Sequence, residues 1–163
     1  MVLLQLSIKA ELENLASLEP ADPANFDYFF EVKCTSCNEQ HHKVISLNRA
    51  EEFEVSGGKG AKANFVWKCT FCKRESSAKF DSAYPTRAYT EDDSGQFAPF
   101  LKVDCRGLEF VGFEPRAPWK ATSPKGTTFT DINLSGEDMW TEYDEKAGAP
   151  VSISEFECKW ARA

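Results

Sequence analysis

The chain has 163 residues, with 19 Lys and Arg against 26 Asp and Glu and a formal net charge of −7. That length suits about one domain and suffices to bury a core without cross-links. The acidic balance argues against nucleic acid, whose phosphates need a basic face, and no run approaches the ~20 apolar residues of a membrane span.

In chain order, the segment from Val2 alternates, with Leu4, Leu6, Ile8, Ala10 and Leu12 on one parity, the pattern of a half-buried strand. Leu12, Leu15 and Leu18 recur at threes, so a helix competes there. The N-terminus lacks the basic start and small-residue cleavage site of a signal peptide, and the expected location is the cytosol, with access to the nucleus. The two prolines of EPADPAN mark a loop. YFFEVKC then reads as a strand entering a first cysteine pair, and HHKVISLN as one leaving it. RAEEFEVSGGKGAKAN is a polar connection with a glycine-rich tip. FVWKC enters the second pair and SSAKFD leaves it. YTEDDSGQ, acidic and turn-rich, is the candidate boundary between residues 1–90 and 97–163. PFLKVDCRGLEFVGFEP, TTFTDINL, MWTEYDE and VSISEFECKW follow as further strands. The expected fold class is mainly β, without a long helix.

The expected organisation is one compact unit of two similar β-rich halves. Leu6, Ile8, Ala10, Leu15 and Leu18 have the same mutual spacings as Leu101, Val103, Cys105, Phe110 and Phe113. Charge divides unevenly, with 11 basic and 12 acidic residues in 1–90 but 8 and 14 in 91–163. The acidic second half suits a basic protein partner or simple solubility.

In a reducing compartment, six cysteines point to metal or catalysis before disulfides. Cys34 and Cys37, then Cys69 and Cys72, form two C-x-x-C pairs at strand ends. Each gap of two lets both sulfurs face one ion from a tight hairpin knuckle. Two knuckles supply four thiolates, the closed tetrahedral set that best suits one structural zinc, although iron also fits. Lys33, Lys43, Lys68, Lys73 and Arg74 flank the pairs and favour thiolate. A thioredoxin-like dithiol would need an α/β setting and only one pair. Haem attachment would need His where Asn38 and Lys73 stand.

His41 and His42 are expected as surface or supporting imidazoles, Cys105 as a buried small hydrophobe and Cys158 as more exposed. SGGKGAK lacks the order of a phosphate-binding loop. GEDMWTEYDEK, with Glu137, Asp138, Glu142, Asp144 and Glu145, reads as a solvated strand face or partner surface. A closed four-cysteine site leaves no position for an activated water. The expected function is therefore non-enzymatic: a zinc-bearing scaffold for a protein partner. Zinc or copper exchange is the alternative, and thiol oxidoreduction a weaker one.

The motifs F-x-V-K-C-x-x-C and G-x-x-x-N-F-V-W-K-C-x-x-C-K-R-E, with L-x-I-K-A-E-L-E-N-L, F-x-D-I-N-L and W-x-E-Y-D-E-K, resemble the eukaryotic CXXC-motif zinc-binding protein family nearly end to end. The resemblance implies a compact β protein of two similar halves, with one zinc on Cys34, Cys37, Cys69 and Cys72, in the cytosol or nucleus. It implies no catalytic activity. Asn38 stands where the resemblance leads one to expect glycine. Asn tolerates the left-handed backbone that such a turn needs.

Overall fold

A computed structural model describes residues 2–41, 43–56, 60–136 and 138–163. Strands dominate it, and the described helices are two three-residue 3-10 turns, Pro23–Asn25 and Glu91–Asp93. No helix among the described residues is long and apolar enough to cross a membrane. The mainly β expectation is met.

The first strands are β1 (Val2–Glu13), β2 (Ser17–Pro20), β3 (Tyr28–Cys34) and β4 (Ile45–Leu47). The short pair β5 (Phe53–Glu54) and β6 (Lys62–Ala63) precedes the hairpin of β7 (Phe65–Lys68) and β8 (Glu75–Phe80). After β9 (Tyr89–Thr90) come β10 (Ala98–Arg106), β11 (Leu108–Glu114) and β12 (Trp119–Thr122). The chain closes with β13 (Thr128–Ile132), β14 (Met139–Asp144) and β15 (Ala149–Arg162).

A six-stranded sheet runs β14-β15-β1-β10-β8-β7, flanked by a three-stranded sheet β11-β3-β4 and a four-stranded sheet β13-β12-β2-β9. Each takes strands from both sides of residue 97. The six-stranded order reads the same from either edge when β1 is exchanged with β10, β15 with β8 and β14 with β7. Under that exchange, β2 beside β12 answers to β11 beside β3.

Alternation explains β1: Leu4, Leu6, Ile8 and Ala10 are buried, as strand parity requires. The possible helix over Leu12, Leu15 and Leu18 does not form. Instead Asn14 adopts φ 57 and ends β1, and Leu15 and Leu18 reach the core from the bend and from β2. The single run expected over 99–115 also divides, at Gly107 with φ 80. β15 keeps two burial phases through a bulge. Lys9 pairs with Glu157 and Glu11 with Ser154, leaving Ala10 opposite two residues. Val151 and Ile153 face the core before the bulge, and Phe156, Cys158 and Trp160 are half-buried after it.

The core is one cluster fed by all three large sheets. Its centre is aromatic. Trp119 is fully buried and stacks on Phe100 at 5.5 Å, while Phe30 meets Phe110 at 4.8 Å and Trp160 at 5.0 Å. Truncating a fully buried aromatic of this kind costs about 3–5 kcal/mol.

Candidate metal centre

Two turns bring the four paired cysteines together. At the end of β3, Cys34 N–H donates to Glu39 O (2.9 Å) and Asn38 N–H to Cys34 O (2.9 Å). Between β7 and β8, Cys69 N–H donates to Arg74 O (3.0 Å) and Lys73 N–H to Cys69 O (2.9 Å). The residue after each pair takes the left-handed conformation, Asn38 at φ 62 and Lys73 at φ 64. The reversal lets a turn of this size close while both sulfurs stay on its inner side.

Gly107 places the turns against each other. β10 pairs with β8, which carries the second hairpin, and β11 pairs with β3, with Leu108 opposite Cys34. The carbonyl between these strands, Gly107 O, accepts from Ser76 Oγ (3.0 Å) and from Thr35 N–H (3.1 Å). A Cβ at Gly107 would lie 2.8 Å from Ser76 Oγ, so the bend has no room for a side chain. This role was not read from the sequence, where Gly107 lay unremarked inside the run PFLKVDCRGLEFVGFEP.

Cys34 Sγ lies 3.6 Å from Cys72 Sγ, and Cys37 Sγ 3.6 Å from Cys69 Sγ. All four sulfurs lie within 4.8 Å of one another. A tetrahedron with metal–sulfur bonds of about 2.3 Å has edges of about 3.8 Å, so the cluster has the dimensions of a four-thiolate metal site. Cys34 and Cys69 are buried, while Cys37 and Cys72 are half-buried. No other His, Cys, Asp or Glu among the described residues joins the group.

Electrostatics fit a cation. Burial raises the Cys34 thiol, but the backbone amides of Cys37 and Ser36, with the Cys72 and Cys37 sulfurs, together outweigh it and bring it down to about 7. The Cys72 amide is the main influence lowering Cys69, with the Phe71 amide adding to it against burial. Cys37 takes the Glu39 amide, yet burial and the neighbouring Cys69, Cys34 and Cys72 sulfurs push it up to about 12. Four thiolates this close repel one another, and a bound dication removes that obstacle.

The remaining candidates are separate from the cluster. His41 Nδ1 accepts from Lys43 N–H (3.0 Å), and its ring meets the edge of Trp67 at 5.6 Å. His42 lies outside the described residues, as do Gly57, Gly58 and Lys59 of the glycine-rich tip and Glu137. Cys105 is buried and its thiol is pushed up to about 12, mainly by burial. Cys158 is half-buried, less open than expected, with Sγ 3.9 Å from Phe113 O.

One carboxylate departs from the solvated face expected of GEDMWTEYDEK. Asp144 is fully buried. Its Oδ1 accepts from Thr127 Oγ1 (2.7 Å) and Lys146 N–H (3.1 Å). The Thr127 and Ser123 hydroxyls hold its carboxyl below the usual carboxylate range. Parity with Trp140 was the only sequence sign of an inward position.

The eukaryotic family "CXXC motif containing zinc binding protein" matches residues 5–161. A Drosophila melanogaster protein, UPF0587 protein CG4646, is 38% identical over 164 residues, covering 99% of this chain and 98% of its own. The Homo sapiens CXXC motif containing zinc binding protein is 38% identical over 151 residues, 92% of each chain. The crystal structure of C1orf123 superposes with a TM-score of 0.90 at 35% identity over 99% of both chains. A hypothetical protein from Plasmodium falciparum gives 0.86 at 26% identity over 99% of this chain and 100% of its own. This chain belongs to the eukaryotic family of CXXC motif containing zinc binding proteins.

Proposed function

We propose that this protein is a non-enzymatic zinc protein of the cytosol and nucleus, in which one structural Zn2+ on Cys34, Cys37, Cys69 and Cys72 braces a β scaffold that binds a protein partner. The observation that carries it is the closed group of four sulfurs, two of them buried, spanning two separate hairpins. Zinc is the ion that best suits a closed all-sulfur tetrahedron, and the name of the matching family agrees. When bound, zinc supplies charge and cross-linking. With all four positions taken by protein, it has no place for a reacting water. Cys34, Cys69 and their amide donors hold the inner side of the site. Cys37 and Cys72 complete it toward solvent.

Elemental analysis of protein purified without added metal, with thiol titration before and after denaturation, tests this reading. One zinc per chain, with the four cluster thiols and the buried Cys105 reacting only on denaturation, is the expected result. Substoichiometric or mixed metal with thiols reactive in the native state would overturn it.

Metal exchange is a second reading, favoured by the partial exposure of Cys37 and Cys72. It requires zinc to pass to a strong chelator faster than the protein unfolds. Loss of metal and of tertiary structure in step would remove it. Insulin reduction by the metal-free, reduced protein tests thiol oxidoreduction, which zero turnover would eliminate.

A further inference from the structure

A cleft of about 540 Å³ opens between the end of β11, the connection from β13 to β14, and β15. Its volume falls within the roughly 300–1,000 Å³ of ligand clefts. Phe113, Pro115, Leu134 and Phe156 contribute apolar surface. Glu114, Asp138, Glu155 and Glu157 contribute four carboxylates, and no Lys or Arg among the described residues lines it.

Two of these carboxylates are already engaged: Glu114 with Arg116 Nε (2.9 Å) and Glu157 with Lys9 Nζ (3.4 Å). Glu155 and Asp138 are exposed and form no ion pair among the described residues. The bulge in β15 is what puts Glu155 here. The extra residue changes the phase of the strand and brings Glu155 and Phe156 to the same cleft.

The molecule itself shows that this rim accepts cations: Lys9 Nζ pairs with Glu157 and lies 5.6 Å from the centre of the Phe97 ring. Beside the cleft, Arg116 pairs with Glu114 while its guanidinium lies 4.2 Å from the centre of the Phe29 ring. A planar guanidinium can meet a carboxylate and an aromatic face together; an ammonium does so less well. The cleft offers that combination a second time, with free carboxylates at Glu155 and Asp138 and the rings of Phe113 and Phe156.

We infer that this cleft is a docking site for an arginine side chain carried on a basic, apolar-flanked segment of a protein partner. The inference rests on the partner-binding reading above and gives that partner its chemistry. Charge complementarity carries it: a cleft lined by four carboxylates and, among the described residues, no base, on the more acidic part of the chain.

The test titrates the zinc-loaded, isotope-labelled full chain with acetyl-Gly-Leu-Arg-Leu-Gly-amide and with the same peptide carrying citrulline or lysine for arginine. The expected result is amide shifts confined to residues 113–115, 134–136 and 155–158, with binding lost for citrulline and weaker for lysine. Removing both free charges, Asp138→Asn with Glu155→Gln, should weaken binding on the order of tenfold. The equal charge removal Glu91→Gln with Asp92→Asn should change it by less than about twofold. No shifts at millimolar peptide, equal binding of citrulline, or equal losses in the two double variants would overturn the inference. Zinc content measured on the same sample keeps failure here distinct from failure of the zinc reading.

Discussion

The two ends of the six-stranded sheet solve one problem with different chemistry. At each end a β hairpin, a neighbouring turn and a bend between consecutive strands converge. At one end these are the β7–β8 turn, the Cys34 turn and Gly107. At the other they are the β14–β15 turn, the β12–β13 turn and the bend at Asn14. The hydrogen bonds correspond as well. Lys73 N–H donates to Cys69 O (2.9 Å) as Gly148 N–H does to Asp144 O (2.8 Å). Thr35 N–H donates to Gly107 O (3.1 Å) as Ala16 N–H does to Thr122 O (2.8 Å). What crosses between the turns differs. The first end has four sulfurs. The second has the bond from Thr127 Oγ1 to the buried Asp144 carboxylate. Two neighbouring turns can thus meet through thiolates suited to a metal or through one ionised side chain, and the difference sets what can undo the contact.

Metal removal should break the comparison most severely. Structural zinc contributes about 10–16 kcal/mol in zinc-finger peptides, comparable to the 5–15 kcal/mol that holds an ordinary domain. Chelation, or Cys69→Ser, is therefore expected to unfold the first end. Hydrogen exchange would rise by orders of magnitude over residues 28–34 and 65–80, and less at 123–127 and 144–148. Equal loosening at both ends would mean that the two are not separable.

Gly107→Ala is expected to cost about 2–3 kcal/mol, from its positive φ and the short approach to Ser76. Chemical denaturation measures that loss, and metal content should fall with it because both cysteine turns hang on this carbonyl.

Acid separates the ends in the opposite order to their strength. Protons compete with zinc for thiolates, so the first end loosens as metal leaves. Asp144 has its folded pKa below the unfolded value of about 3.9. Its contribution is therefore complete above about pH 4 and is lost only as pH falls further, through the folded value. Asp93, despite its burial, and Glu114 are also held below their usual values, chiefly by Arg87 and Arg116 respectively. The informative readout is thus local exchange at 123–127 and 144–148 during an acid titration with a zinc-sensitive dye. Asp144→Asn should lower Tm by roughly 3–6 °C at pH 7. The acid response at those residues should shrink in the same variant.

The smallest effect sharpens the comparison at a single backbone position. Lys73 at φ 64 and Gly148 at φ 64 occupy corresponding places. Lys73→Gly should stabilise the zinc-loaded protein by about 0.5–1 kcal/mol, and Gly148→Ala should cost about 1 kcal/mol. Denaturant midpoints decide both signs.

The four-cysteine end was legible in the sequence because its chemistry is local. Two C-x-x-C pairs mark four sulfurs that can meet whatever surrounds them, and strand parity around Leu4–Ala10 and Tyr28–Cys34 was clear. The other end was not legible. Ser123, Thr127 and Asp144 are ordinary polar residues whose meeting depends on the pairing of β12 with β13 and β14 with β15. The strand carrying Trp119 was missed for a related reason: WKAT is only four residues long and is bounded by prolines. The breaks at Asn14 and Gly107 were hidden because residues on both sides remain apolar, so the pattern runs on where the backbone turns.

The pairing of β1 with both β10 and β15 has a consequence for synthesis. β1 cannot acquire its second neighbour until residues 149–162 have emerged from the ribosome. Such long-range closure is slow and leaves strand edges open. The four cysteines, by contrast, span only residues 34–72. Metal capture by the growing chain would give it an early fixed point around which the late strands can assemble. Zinc supply during translation, and not only afterwards, would then govern how much of the protein reaches its native state.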